Sequence, residues 1–213
     1  LPRTTEDGVN LRKLMIADEG KTFIAADFSQ AELRVLAHCS RDAALIQAFK
    51  SGEDLHYYTA SLVFGKEISE ITKGERQIAK SCIFLIVYGG SYKKLAEQIG
   101  RSDGYAKDIF KRFQTQFPGI FTFMKVVNKF TKTNGYSMSL FGRRRNLPNV
   151  NSPITKYQYR ALRQGLNFVI QSSTSDMVLN SLLNMKNKID ELGLGDVEIL
   201  ATVHDSIEVQ CDT

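Results

Sequence analysis

Short apolar runs at both ends of the chain enclose a long middle in which apolar residues recur every three or four positions. The β-branched and apolar run 22–28 (TFIAADF) predicts a buried strand ending at Asp27. Ser29 then reads as a helix N-cap, with Glu32 three residues on completing a capping box. Leu33, Leu36 and Ala37 share one face of that helix. Helical periodicity continues over roughly 42–50, 55–64 and 75–88, with breaks at Gly52 and Gly65, and a short helix over 91–99 is stopped by Gly100. Residues 104–116 and 119–133 predict two more helices, separated by Phe-Pro-Gly. The segment 135–140 (GYSMSL) alternates like a strand and leads into the basic run Arg143-Arg144-Arg145. One helix is expected over 155–173 and a second from Thr174 to about Leu192. The tail, 197–203 and 207–210 around His204-Asp205-Ser206, predicts a β-hairpin. The pattern is α+β: strands bearing acidic residues, with a large helical insertion between them.

Composition narrows the class without naming a function. The 213 residues are 43% hydrophobic and 24% charged, which excludes a disordered chain. No stretch approaches ~18 uncharged apolar residues, so no membrane partner is expected. The N-terminal Leu1-Pro2-Arg3-Thr4-Thr5-Glu6-Asp7 has neither a starting Met nor an apolar signal core, and reads as the cut end of a larger protein. Cys39, Cys82 and Cys211 lack metal-ligand spacing and read as inert thiols in a reducing, intracellular compartment. The net charge of +5 is compatible with a polyanionic partner but does not require one.

Two constellations carry chemistry. Asp27 closes the first strand and Asp205 sits in the final turn. Either alone is usually a cap or turn former. Together, if their strands are neighbours, they could hold two Mg²⁺ ions, which prefer hard oxygen ligands at ~2.1 Å. The second is Arg76, Lys80, Phe84 and Tyr88, spaced by four and so along one helix face. Its plain reading is two core rings and two solvated cations. Its functional reading is a nucleoside triphosphate laid lengthwise, phosphates on the cations and sugar or base on a ring. Ile83, Leu85, Ile86 and Val87 already offer apolar surface for burial, which favours the second reading.

The segments Asp27-Phe28-Ser29-Gln30-Ala31-Glu32-Leu33-Arg34, Arg76-x-x-x-Lys80-x-x-x-Phe84-x-x-x-Tyr88-Gly89 and Val203-His204-Asp205 resemble motifs A, B and C of the family A DNA polymerases, in order and separation. Val35-Leu36-Ala37-His38, Asp54-Leu55-His56, Phe141-Gly142-Arg143-Arg144-Arg145 and the run from Arg163 to Gln171 look like further family signatures. The resemblance implies a polymerase palm (residues 1–54 and 135–213) carrying helical fingers (55–134), without thumb or exonuclease domain and truncated after motif C. It implies template-directed DNA synthesis from dNTPs on primer–template DNA, with Mg²⁺, or Mn²⁺ in its place, held by Asp27, Asp205 and the carbonyl of Phe28. Arg76 and Lys80 would neutralise the phosphates, Lys80 also protonating the leaving group, assisted by His56 and Gln30. Glu32 would crowd the sugar 2′ position, Phe84 would stack near the sugar, and Tyr88 would occupy the template-base position. Arg143, Arg144, Arg163, Asn167, Gln171 and His204 would contact primer–template. The remaining domains would come from the parent protein or another chain, in a bacterial or phage-infected cytoplasm or an organelle.

Ser206 stands where the family has Glu, Ile83 and Leu85 stand where Asn and Gly flank the motif B aromatic, and Ala31 replaces a larger aliphatic residue. These departures predict altered fidelity and weakened metal handling. They also leave open a binding module without turnover. Asp176 reads as a helix-start cap, and Glu198 and Glu208 as structural strand residues.

Overall fold

The computed structural model describes residues 15–213. The reading of Leu1–Asp7, and residues 1–14 of the expected palm, lie outside the described residues. The chain divides into two compact units, one formed by 1–31 with 174–213 and the other by 32–173.

In the first unit, strand β1 (Lys21–Asp27) joins β4 (Glu198–Val203) and β5 (Ser206–Asp212) in an antiparallel sheet of order β1-β5-β4. Two segments far apart in the sequence are therefore neighbours, with Asp27 opposite Ser206 and Ala25 opposite Glu208. Alternation sends Ile207 and Val209 to one face, where they pack with Phe28 and Ile199 on Val178, Leu182 and Met185. The opposite face carries Ser206, Glu208 and Gln210. There Gln210 Nε2 donates to Asp18 and Glu198, and Lys21 pairs with Glu198.

The larger unit contains α2 (Ala43–Lys50), α3 (Leu55–Phe64), α4 (Lys73–Val87), α5 (Tyr92–Ile99), α6 (Asp103–Gln116) and α7 (Pro118–Asn134). These match the expected helical periods to within a residue or two, because their caps stand where the sequence puts them. Asp42 caps α2 and Asp54 caps α3, while Gly65 and Gly100 end α3 and α5 in the left-handed region. A short hairpin, β2 (Tyr136–Met138) with β3 (Arg144–Asn146), follows α7. Part of the basic run thus lies in a strand, which the sequence pattern did not indicate.

Two local expectations need correction. The helix after motif A, α1 (Ala31–Ser40), begins after Gln30, whose φ of 55° interrupts the regular backbone, so Ser29 and Glu32 do not stand as N-cap and N3. The break expected near Thr174 is absent: α8 runs unbroken over Thr155–Glu191. Within the helix Ser173 Oγ donates to the Val169 carbonyl at 2.5 Å and accepts from the Leu140 amide at 2.9 Å. Asp176 accordingly lies mid-helix rather than at a helix start. Cys82 is buried, its thiol pushed up to about 12 by burial, and burial also raises the half-buried Cys39. Among the described residues no helix is long and apolar enough to cross a membrane.

The start of α4 is a capping box between Thr72 and Glu75. Glu75 also bonds Lys66 at 2.6 Å; that ammonium, with the Thr72 amide, holds its carboxyl down to about 2. Thr72→Ala should lower the unfolding free energy by about 1 kcal/mol, measured by urea denaturation. The Glu75 contribution should be present above its ordinary value of 4.5 and vanish as pH falls towards about 2. A Glu75→Gln chain should therefore lose less stability on acidification than the parent.

Candidate active site

The pairing of β1 with β5 places Asp27 beside the turn that carries Asp205, and the Phe28 amide donates to the Asp205 carbonyl at 3.0 Å. Partial desolvation, then the like charge of Asp205 and the bond shared with it, then the charge of Glu208, push the Asp27 carboxyl above its ordinary value. Asp27 is solvent-exposed, so the neighbouring charges are the part a bound cation would relieve. Two hard oxygen donors of this kind suit Mg²⁺. The Phe28 carbonyl accepts from the Ala31 amide at 3.3 Å and keeps a second lone pair. Among the described residues no group of three or more His, Cys, Asp or Glu side chains is gathered as a metal cluster. Gln30 and His204, beside the two aspartates, hold φ of 55° and 57°, a conformation non-glycine residues seldom adopt.

In the larger unit, α4 buries one face and leaves the other open. Ala79, Cys82, Ile83, Leu85, Ile86 and Val87 are buried, whereas Arg76, Lys80 and Phe84 are half-buried and Tyr88 is exposed. Arg76 forks onto Asp54, with Nε to Oδ1 at 3.2 Å and Nη2 to Oδ2 at 2.7 Å, and lies over the Tyr57 ring. Asp54 Oδ1 also accepts from the His56 and Tyr57 amides, so one carboxylate both starts α3 and orients the α4 cation. His56 is buried with its ring 6.1 Å from Phe84, and its Nδ1 has no hydrogen-bond partner. Burial, reinforced by Arg76 and Lys80, lowers its pKa against the opposing pull of Asp54, leaving the ring neutral at physiological pH.

The end of α4 is a Schellman motif: the Gly90 amide donates to the Leu85 carbonyl at 2.7 Å and the Gly89 amide to Ile86 at 2.8 Å. Gly89 holds φ 65°, and a Cβ there would stand 2.8 Å from Arg163 Cγ. At Gly90 a Cβ would meet Leu85 Cδ1 at 2.4 Å. Leu85 is therefore not a free apolar surface; at 8% exposure it is folded over the glycine that ends its own helix. Tyr88, at the cap, donates its hydroxyl to Glu32 at 3.0 Å and also meets Gln171. Lys80, Phe84, Tyr88 and Arg163 line a cleft of about 950 Å³, joined by Lys93, Lys94 and Lys156. Lys93 and Lys94 reach this cleft only because tertiary packing brings α5 and α8 to it. Arg143 and Arg144 lie exposed on the short hairpin, Arg144 stacked over Tyr136 at 4.8 Å, and the hairpin is tied to α8 by Ser137 Oγ donating to the Gly165 carbonyl at 2.8 Å. Asn167 Oδ1 is buried without a hydrogen-bond partner.

Comparison with known proteins decides the family. The model of DNA polymerase family A matches residues 1–213. The chain belongs to DNA polymerase family A. It is 36% identical over 207 residues to DNA polymerase I of Chloroflexus aurantiacus, covering 97% of this chain and 22% of that protein. It is 35% identical over 205 residues to DNA polymerase theta of Drosophila melanogaster, covering 93% of this chain and 10% of that protein. The polymerase domain of Pol1 from M. smegmatis, solved in complex with DNA primer-template and dNTP, superposes with a TM-score of 0.91 at 35% identity, over 99% of this chain and 37% of that one. The chain thus spans about a quarter or less of the length of these curated relatives. The α+β architecture expected from the sequence, a small antiparallel sheet with a helical insertion, is the one found.

Because Gly89 meets both a positive φ and the Arg163 stem, Gly89→Ala should destabilise the larger unit by about 1–2 kcal/mol in thermal or chemical unfolding. Gly104→Ala, in α6 with nothing within 4 Å of the added Cβ, is the control and should hold or slightly raise stability.

Proposed function

We propose that this chain is the nucleotidyl-transfer portion of a DNA-directed DNA polymerase, joining a deoxynucleotide from dNTP to a primer 3′ end under template direction. The observation that carries the reading is the β1–β5 pairing, which sets Asp27 next to Asp205. Paired carboxylates that repel one another fit a divalent cation site, with Asp27, Asp205 and the Phe28 carbonyl as the donors. Two Mg²⁺ ions bound there supply charge neutralisation and a more acidic primer hydroxyl.

The chain's own residues supply the rest. Lys80 and Arg76 present positive charge to the triphosphate, Arg76 by sharing or exchanging its bond to Asp54. Lys80 is suited to give a proton to the pyrophosphate leaving group. His56, neutral and buried, offers a ring nitrogen at the triphosphate rather than charge, and Gln30 assists. Tyr88 holds Glu32 by its hydroxyl, so that carboxylate is fixed where a sugar 2′ hydroxyl would meet it. Phe84 presents a flat ring towards the sugar, and Tyr88 takes the template-base position. Arg143, Arg144, Arg163, Asn167, Gln171 and His204 take primer and template, the cations by phosphate contact. In this reading residues 1–54 and 135–213 form the palm and 55–134 the fingers, completed by further polymerase domains. The burial of Leu85 moves any effect on fidelity from direct contact with a base pair to the stiffness of the α4 end.

Primer extension with Mg²⁺ tests the reading: the parent should extend, and Asp205→Asn should lose at least about a hundredfold in rate. Duplex binding without extension would instead mark a binding module. Glu32→Ala should admit ribonucleotides in the same assay; unchanged sugar selectivity would contradict the steric role. Affinity for primer–template should fall steeply between low and physiological salt as phosphate counterions are released.

A further inference from the structure

Ser206 occupies the position where the family carries a carboxylate, yet a carboxylate lies two residues further along the same strand. Asp27 faces Ser206, and Ala25 faces Glu208, so the side chains of Asp27, Ser206 and Glu208 emerge on one side of the sheet. Alanines flank Glu208 on both neighbouring strands, Ala25 on β1 and Ala201 on β4. Glu208 is 7% exposed. Its Oε1 accepts a hydrogen bond from the Ser206 hydroxyl at 2.6 Å, while its Oε2 is buried with no partner. A buried carboxylate oxygen without a donor is costly, and such an orphan calls for a missing ligand.

We propose that Glu208 is a positioning residue for divalent cations at Asp27 and Asp205, held in place by Ser206 and supplying the negative charge that the family carries at position 206. It is not a direct ligand. Its unpartnered Oε2 accepts a hydrogen bond from water on the cation, since Mg²⁺ surrenders its hydration shell reluctantly. Ser206 is thereby the link that aims Glu208, rather than a plain loss of charge. The inference rests on the cation site of the preceding section.

Mn²⁺ binding to the full chain, followed by electron paramagnetic resonance without nucleotide or DNA, separates the two ideas. Asp205→Asn should abolish binding; if it binds as the parent does, the cation site itself is wrong. Glu208→Gln, which keeps the shape and the Oε1 acceptor, should weaken Mn²⁺ affinity about tenfold. Ser206→Glu added to Glu208→Gln should recover most of that loss. Should Glu208→Gln not fold, Ser206→Ala is expected to weaken Mn²⁺ binding in the same direction. Parent-like Mn²⁺ affinity in a folded Glu208→Gln chain, or in Ser206→Ala, would overturn the proposal even where Asp205→Asn abolishes binding.

Discussion

Two aspartates nearly the whole chain apart are brought together by one antiparallel strand pair. β1 and β5 exchange backbone hydrogen bonds from Lys21 opposite Asp212 to Asp27 opposite Ser206, and the Phe28 amide extends the ladder onto the Asp205 carbonyl. A one-residue slip would turn Asp27 to the apolar face that packs on Val178, Leu182 and Met185. Burying a charge there is far costlier than leaving it on the polar side. The apolar face therefore enforces the register, and the register sets the carboxylates side by side. That register leaves the Asp27 carboxyl facing the like charge of Asp205.

A second set of constraints fixes the basic and aromatic stripe of α4. Asp54 is shared between the start of α3 and the Arg76 guanidinium, so the first cation of the stripe is aimed by a helix cap. At the other end, the Schellman turn closes over Leu85 and Gly90, and Tyr88 is tied to Glu32. Between these anchors, one face of the helix is buried and the other is left open to the cleft. Such anchoring matters for chemistry because charge stabilisation works best from groups that need not reorganise.

The departures from the family pattern take on meaning only in this setting. Leu85, in place of a glycine, is accommodated because Gly90 leaves room beneath it. Ser206, in place of a glutamate, donates to a glutamate two residues away on the same face. Each change has a neighbour that answers it, and neither answer lies at the altered position.

Much of this was legible in the residues themselves. The glycine breaks at Gly65 and Gly100 act within one turn, so local sequence sets those helix ends. The four-residue spacing of Arg76, Lys80, Phe84 and Tyr88 likewise dictates a common face. Where local signals misled, tertiary partners had the last word. A helix break is expected near Thr174, but the Ser173 hydroxyl is taken up by the Val169 carbonyl and the Leu140 amide, and α8 continues. Strand pairing, the burial of Glu208 and the meeting of Lys93, Lys94, Lys156 and Arg163 at one cleft involve residues far apart in the chain. The sequence alone determined which groups are present and which helix faces they occupy. Tertiary structure decided which of them are neighbours, because long-range pairing follows from the burial of apolar faces against one another and not from any local preference.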